Sequence, residues 1–128
     1  MAEPFAIFAL EDILLVSVQE DVTDQDISKL IDQVLTTAKQ KSVAAVIIDM
    51  QNVEVVDSYL ASNISHMAAS LKAMEINTLV VGLKVPAVIT LLDFGVTFEH
   101  TDFALDLEQA LVKIGRRIEK EQTSPVLG

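Results

Sequence analysis

Ala44-Ala45-Val46-Ile47-Ile48-Asp49-Met50-Gln51-Asn52-Val53-Glu54-Val55-Val56-Asp57-Ser58 is the stretch that decides the fold. Its first five residues form a short, β-branched apolar run that stops at a carboxylate. A run without polar alternation is what a parallel strand covered on both faces requires. Leu79-Val80-Val81-Gly82-Leu83 is a second run of the same kind. Between them, from about Asp57 to Met74, apolar residues recur at helical spacing. Leu60, Ile64, Met67, Leu71 and Met74 fall on one stripe. Strand, helix and strand over this distance make a βαβ unit, which closes right-handed.

Toward the N-terminus, Phe5–Leu10 and Ile13–Val18 are apolar runs joined by Glu11-Asp12. Two runs separated by two polar residues predict an antiparallel hairpin, although this turn has neither Gly nor Asn. Thr23–Gln40 reads as a helix. Thr23 or Asp24 can cap it, Asp24 and Asp26 suit the dipole of its first turn, and Ile27, Leu30, Ile31, Val34, Leu35 and Ala38 form its buried stripe. Toward the C-terminus, Pro86 suits the first position of a helix over Ala87–Phe94, with Gly95 as its stop. A short strand is expected within Val96–Phe103. A last helix is expected over Leu105–Lys120, with Leu107, Leu111, Ile114 and Ile118 on one face. The expectation is one α/β domain over residues 1–121 and a flexible tail over 122–128. Its sheet is mixed and four- to five-stranded, an N-terminal antiparallel hairpin followed by βα units, with about four helices.

Composition limits what this domain can do. The 128 residues carry 19 acidic and 9 basic side chains, a net charge of −10. Such a surplus of carboxylates argues against nucleic acid and anionic membrane as partners. There is no Cys, which removes disulfides, thiolate metal sites and Cys nucleophiles. No targeting signal is read at the N-terminus, and no apolar run approaches the ~20 residues of a membrane helix, so a soluble cytoplasmic protein is expected. Hydrophobic residues reach 51 %, which implies either a sheet packed on both faces or apolar surface kept for a partner.

The junction after Asp49 is where chemistry is expected, because open α/β sheets gather function beyond the carboxyl ends of their strands. Asp57 and Ser58 open the helix, and either can be no more than its N-cap. The face opposite the apolar stripe adds to the reading. Ser58, Ser62, Ser65 and Ala69 fall together there, where Lys and Glu are usual. Small side chains allow close approach and cost little entropy to order, though an exposed helix also simply tolerates them. A hydroxyl at a helix start is well placed for phosphorylation, since a phosphate there meets unpaired N–H groups and the positive end of the dipole. Added beside Glu54 and Asp57, its charge of about −1.5 to −2 would repel a partner docked on the small-residue face.

Other constellations are weaker. Ser58 and His66 are eight residues apart on one helix, about 12 Å along its axis, and cannot form a nucleophile–base pair. Glu99-His100 reads as surface rather than as a metal site, and no phosphate-binding glycine motif is present. Gly82 marks close packing, and Met67 and Met74 read as core filler. Asp49, ending a central strand with Lys84 after a later one, allows a receiver-like phosphoacceptor. Against that, the first strands lack an intervening helix, and the acidic pair Glu11-Asp12 sits in a turn. Asp49 can instead bond loop amides and hold the path to Ser58. A small-molecule enzyme finds neither a base–nucleophile pair nor a cofactor motif.

Four stretches together resemble the STAS-domain family of anti-sigma-factor antagonists, and within it the RsbS-type scaffold proteins of stressosomes. They are Ile13–Gln19, Val46–Asp49 followed by Val56-Asp57-Ser58, Val81-Gly82-Leu83 with Pro86–Leu91, and Ala104–Leu111. The resemblance runs from about Phe5 to Lys120. It implies a non-enzymatic protein without catalytic residues, cofactor or metal, working in a cytoplasmic homo- and hetero-oligomer. The implied partners are an RsbT-type serine/threonine kinase of histidine-kinase-like ATPase fold, an RsbR-type co-antagonist STAS protein and a PP2C-type phosphatase. Phosphorylation of the serine matching Ser58 would release the kinase, and Asp57, Ser58, Ser62, Ser65 and Ala69 would form the docking face. Self-association is expected in addition from the apolar helix after Pro86.

Overall fold

A computed structural model describes residues 4–97 and 99–122, and of residues 116–122 the backbone alone. Its elements run β1 (Phe5–Leu10), β2 (Ile13–Val18), α1 (Asp24–Gln40), β3 (Ala45–Asp49), α2 (Ser58–Ala73), β4 (Asn77–Val81), α3 (Val85–Asp93), β5 (Thr101–Ala104) and α4 (Leu107–Gln122). The sheet has five strands in the order β1-β2-β3-β4-β5. β1 and β2 are the antiparallel hairpin, and the remaining pairs are parallel. The mixed α/β architecture expected from the sequence is the one observed.

The continuous apolar runs are explained by cover on both faces of the sheet. On one face Leu14, Val16, Val18, Val46, Ile48 and Val80 pack with α1, α2 and Leu91 of α3. On the other, Ala45, Ile47, Leu79 and Val81 pack under Ala110 and Ile114 of α4. α4 lies against β3, β4 and β5. The β1–β2 half of that face therefore leaves Phe8 and Leu10 exposed.

Element ends depart from the sequence reading for identifiable reasons. β4 stops at Val81, because Gly82 takes φ +86 and turns the chain out of extended geometry. α3 starts at Val85, so Pro86 is its second residue. α4 starts at Leu107, because the Asp106 carboxylate accepts the Gln109 N–H at 2.8 Å and acts as a cap. Backbone helix then continues to Gln122, one residue into the expected tail. Residues 123–128 and the Ile118 side chain lie outside what the structure describes.

α2 and α3 end in the same way. Ile76 N–H bonds Leu71 C=O and Glu75 N–H bonds Lys72 C=O, each at 2.9 Å. Val96 and Gly95 repeat this on Leu91 and Leu92 at 3.1 Å. These are Schellman endings, whose turning residue needs positive φ. In α3 that residue is Gly95 at φ +104, and in α2 it is Glu75 at φ +63.

Candidate functional site

β3 and β4 finish side by side, with Asp49 paired to Val81. The segment from Met50 to Asp57 leaves this point and is tied down at once. Met50 is buried, and its N–H donates to Val81 C=O at 2.9 Å. Gln51 N–H donates to Asp49 Oδ1 at 3.0 Å, and Val53 N–H donates to Met50 C=O at 3.0 Å. Val53 and Val56 pack onto the core. Gly82 is the counterpart of this loop. A Cβ on it would lie 2.7 Å from Gln51 N and 2.8 Å from Gln51 Cβ, closer than a Cβ sits to such atoms, and 3.0 Å from Gln51 Cα. The close packing read from that glycine is therefore an approach of two loops.

Asp57 is the N-cap of α2. Its carboxylate accepts Leu60 N–H at 2.9 Å, and its carbonyl accepts Ala61 N–H at 3.0 Å. Ser58 is the first helical residue, and it is exposed. Between the two alternatives left open by the sequence, Asp57 takes the capping role, so the Ser58 hydroxyl is not spent on it. The N–H groups of Ser58 and Tyr59, in the first turn, precede any intrahelical partner. Ser62 and Ala69 are exposed along the same face as Ser58, and Ser65 there is half-buried. Leu60, Ile64, Met67 and Leu71 are buried on the opposite face, as their spacing predicts, and Met74 is half-buried.

Sequence reasoning missed three apolar residues on this side of the molecule, Val55, Tyr59 and Val85, and placed Ile89 only within the apolar helix after Pro86. Val55 in the loop is 72 % exposed, Tyr59 on α2 39 %, and Val85 and Ile89 on α3 68 % and 51 %. All four lie on segments that leave the adjoining ends of β3 and β4. The available signal was Val55, an apolar residue placed between Glu54 and a capping carboxylate, outside every helical stripe.

The competing sites separate in space. Ile13 pairs with Ala45 and Ser17 with Asp49, so the Glu11-Asp12 turn lies at the opposite end of the sheet from Asp49. Four residues of strand put roughly 13 Å between those ends. Asp49 thus has no acidic pair from that turn. Among the described residues, no group of three or more His, Asp or Glu is arranged to hold a metal ion. Glu99 is exposed and His100 half-buried. Val18, Ile27, Met50, Leu60, Ile64 and Met67 line part of a cavity of about 20 Å³ in the core. It is the size of a single water and wholly apolar, so it stays dry and takes no ligand.

Residues 7–110 match the STAS domain, and the chain belongs to that family. It is similar to the structure of the S58E form of RsbS from Moorella thermoacetica, with a TM-score of 0.83 at 20 % identity over 91 % of this chain and 99 % of that one. A component of a structure described as the molecular architecture of the stressosome, a signal integration and transduction hub, gives 0.78 at 22 % over 88 % and 98 %. The Bacillus cell fate determinant SpoIIAA in its phosphorylated form gives 0.67 at 13 % over 86 % and 98 %. No curated protein sequence matches the chain. Among the described residues, no helix is long and apolar enough to cross a membrane.

Proposed function

We propose that this chain is a non-catalytic scaffold and antagonist subunit of a stressosome-type cytoplasmic assembly, switched by phosphorylation of Ser58. It sequesters an RsbT-type serine/threonine kinase together with copies of itself and a longer RsbR-type STAS protein. The kinase transfers the γ-phosphoryl group of ATP to the Ser58 hydroxyl. The hydroxyl proton is lost, a phosphate ester forms and ADP leaves. A PP2C-type phosphatase hydrolyses the ester and resets the switch. Asp57, Ser58, Ser62, Ser65 and Ala69 form the docking face.

The observation that carries this reading is the exposed hydroxyl of Ser58 on the first residue of α2, with capping already done by Asp57. A phosphate at that position meets open N–H groups and the positive end of the helix dipole. It also adds roughly two negative charges beside Asp57 and Glu54, which opposes a partner seated on the small-residue face. The similar structures of a phosphorylated SpoIIAA and of an S58E form of RsbS support a phosphorylation switch here. Exposed Val85 and Ile89 on α3, with Phe94 at its C-terminal cap, support the self-association expected of the helix after Pro86.

Incubation with a purified kinase of this type and ATP, followed by mass spectrometry, tests the assignment. Modification at Ser58 and its loss in Ser58→Ala are expected. Full modification of Ser58→Ala overturns it. A receiver reading, with Asp49 labelled by a small phosphodonor in the presence of Mg²⁺, is the weaker alternative, because Glu11-Asp12 lies at the other end of the sheet.

A further inference from the structure

Ser58 lies at the end of a segment without regular structure, yet the start of that segment is held at two adjoining strand ends. The Asp49 side chain takes the N–H of Gln51 at 3.0 Å, and the strand-end carbonyl of Val81 takes the N–H of Met50 at 2.9 Å. Gly82, at φ +86, presents bare backbone against which Gln51 lies. We infer that Asp49 and Gly82 are positioning residues that fix the departure of the β3–α2 loop and thereby place the Ser58 hydroxyl for phosphoryl transfer.

Two features of the geometry make this specific. The bond from Gln51 uses a carbonyl-type oxygen of Asp49 as acceptor, and an amide oxygen serves as well as a carboxylate oxygen. Charge is therefore not what the position supplies. The contact at Gly82 falls on the backbone atoms of Gln51, so no rotamer change in Gln51 relieves it. A methyl there must displace the loop itself, and a side chain at φ +86 adds strain. Phosphoryl transfer needs attacking oxygen and phosphorus in line, and displacement of about 1 Å is enough to slow such a step by large factors. The clamp acts before any partner binds, since every contact lies within the isolated chain.

The inference rests on the proposed phosphorylation, and the test keeps the two apart. Wild type, Asp49→Asn, Asp49→Ala and Gly82→Ala are compared by amide hydrogen exchange across residues 50–57. They are also compared by kcat and KM for phosphorylation with the purified RsbT-type kinase and ATP. Asp49→Asn is expected to match wild type in both. Asp49→Ala and Gly82→Ala are expected to speed exchange in the loop about fivefold or more, the effect of one lost hydrogen bond. Exchange in β2 and α1 should not move. Both variants should lower kcat more than they raise KM, because the docking face is intact.

Asp49→Asn as slow as Asp49→Ala overturns the inference, since a positional role does not need the charge. Unmoved loop exchange in Asp49→Ala with Ser58 phosphorylated normally also overturns it. A wild-type chain left unmodified at Ser58 overturns the phosphorylation reading instead, whatever the exchange shows. If Gly82→Ala fails to fold, the pair of Asp49 variants carries the test alone.

Discussion

α1 and α2 begin in opposite styles. At the start of α1 the Thr23 hydroxyl accepts Asp26 N–H at 3.1 Å, and the Asp26 carboxylate accepts Thr23 N–H at 3.0 Å. That reciprocal capping box is joined by a second acidic residue, Asp24, in the first turn. At the start of α2 a single carboxylate, Asp57, makes a single bond, and the first turn contains no acidic residue. In both helices the cap side chain bonds the third helical N–H, but the first turn of α1 also carries two carboxylates that answer its dipole. The first turn of α2 carries none and presents an exposed hydroxyl. A terminus built for stability alone resembles the first, and the second leaves room for an anion that arrives later.

Removing the caps sharpens this contrast. Thr23→Ala loses the hydroxyl that accepts Asp26 N–H, keeps the backbone N–H that donates to the Asp26 carboxylate, and is expected to lower stability by about 1 kcal/mol. It should leave the rate of Ser58 phosphorylation unchanged. Asp57→Ala loses one bond and is expected to cost about 1 kcal/mol, while slowing phosphorylation, because the loop and the helix start lose their junction. Asp57→Asn should restore most of both quantities, since Asn caps as well as Asp. Urea midpoints and initial phosphorylation rates measure the two effects. Equal slowing of phosphorylation by Thr23→Ala and Asp57→Ala would erase the distinction between the termini.

The sheet and the helix order were legible because they rest on burial. Continuous runs at Ala44–Ile48 and Leu79–Leu83 mark strands covered on both sides, and a 3.6-residue stripe from Leu60 to Leu71 marks one buried helix face. Ends were harder to read, because local geometry sets them. The φ of Gly82 ends β4 early, and the Asp106 cap delays α4. The candidate site was legible in Asp57-Ser58, whose residue types favour a helix start. Which of the two caps depended on a hydrogen bond that spacing cannot decide. Val55 and Val85 escaped because exposure of an apolar residue is a tertiary property. The contact of Gly82 with Gln51 joins positions distant in sequence.

A charge placed at the open terminus breaks the usual link between stability and function. Ser58→Asp puts a carboxylate at the first position of α2, where the dipole favours it by about 0.3–1 kcal/mol. Repulsion from Asp57 should hold the gain near the lower limit, about 0.3 kcal/mol. The same substitution is expected to weaken kinase retention in a pull-down, though less than a phosphate does, because Asp carries one charge and fewer acceptor oxygens. A variant that is slightly more stable and binds less separates switching from unfolding. Unchanged retention would count against the electrostatic part of the switch.

Acid titration probes the closed terminus. The backbone N–H of Thr23 and then its hydroxyl hold the Asp26 carboxyl below its usual 3.8, against an opposing effect of burial, with a lesser contribution from Lys29. A folded value below the unfolded one gives stability that is fully present above about pH 4 and is lost as pH falls through the lowered value. Asp26→Asn has no proton to take up over this range. The stability difference between wild type and Asp26→Asn should therefore be largest near neutrality and shrink as pH falls below about 4 and through the lowered value. Asp26 is only partly covered, so added salt should reduce its ionic part, while the hydrogen bonds to Thr23 persist. A difference that stayed constant across the whole acid range would mean that the charge of Asp26 contributes nothing. The start of α1 would then be closed by neutral hydrogen bonds alone.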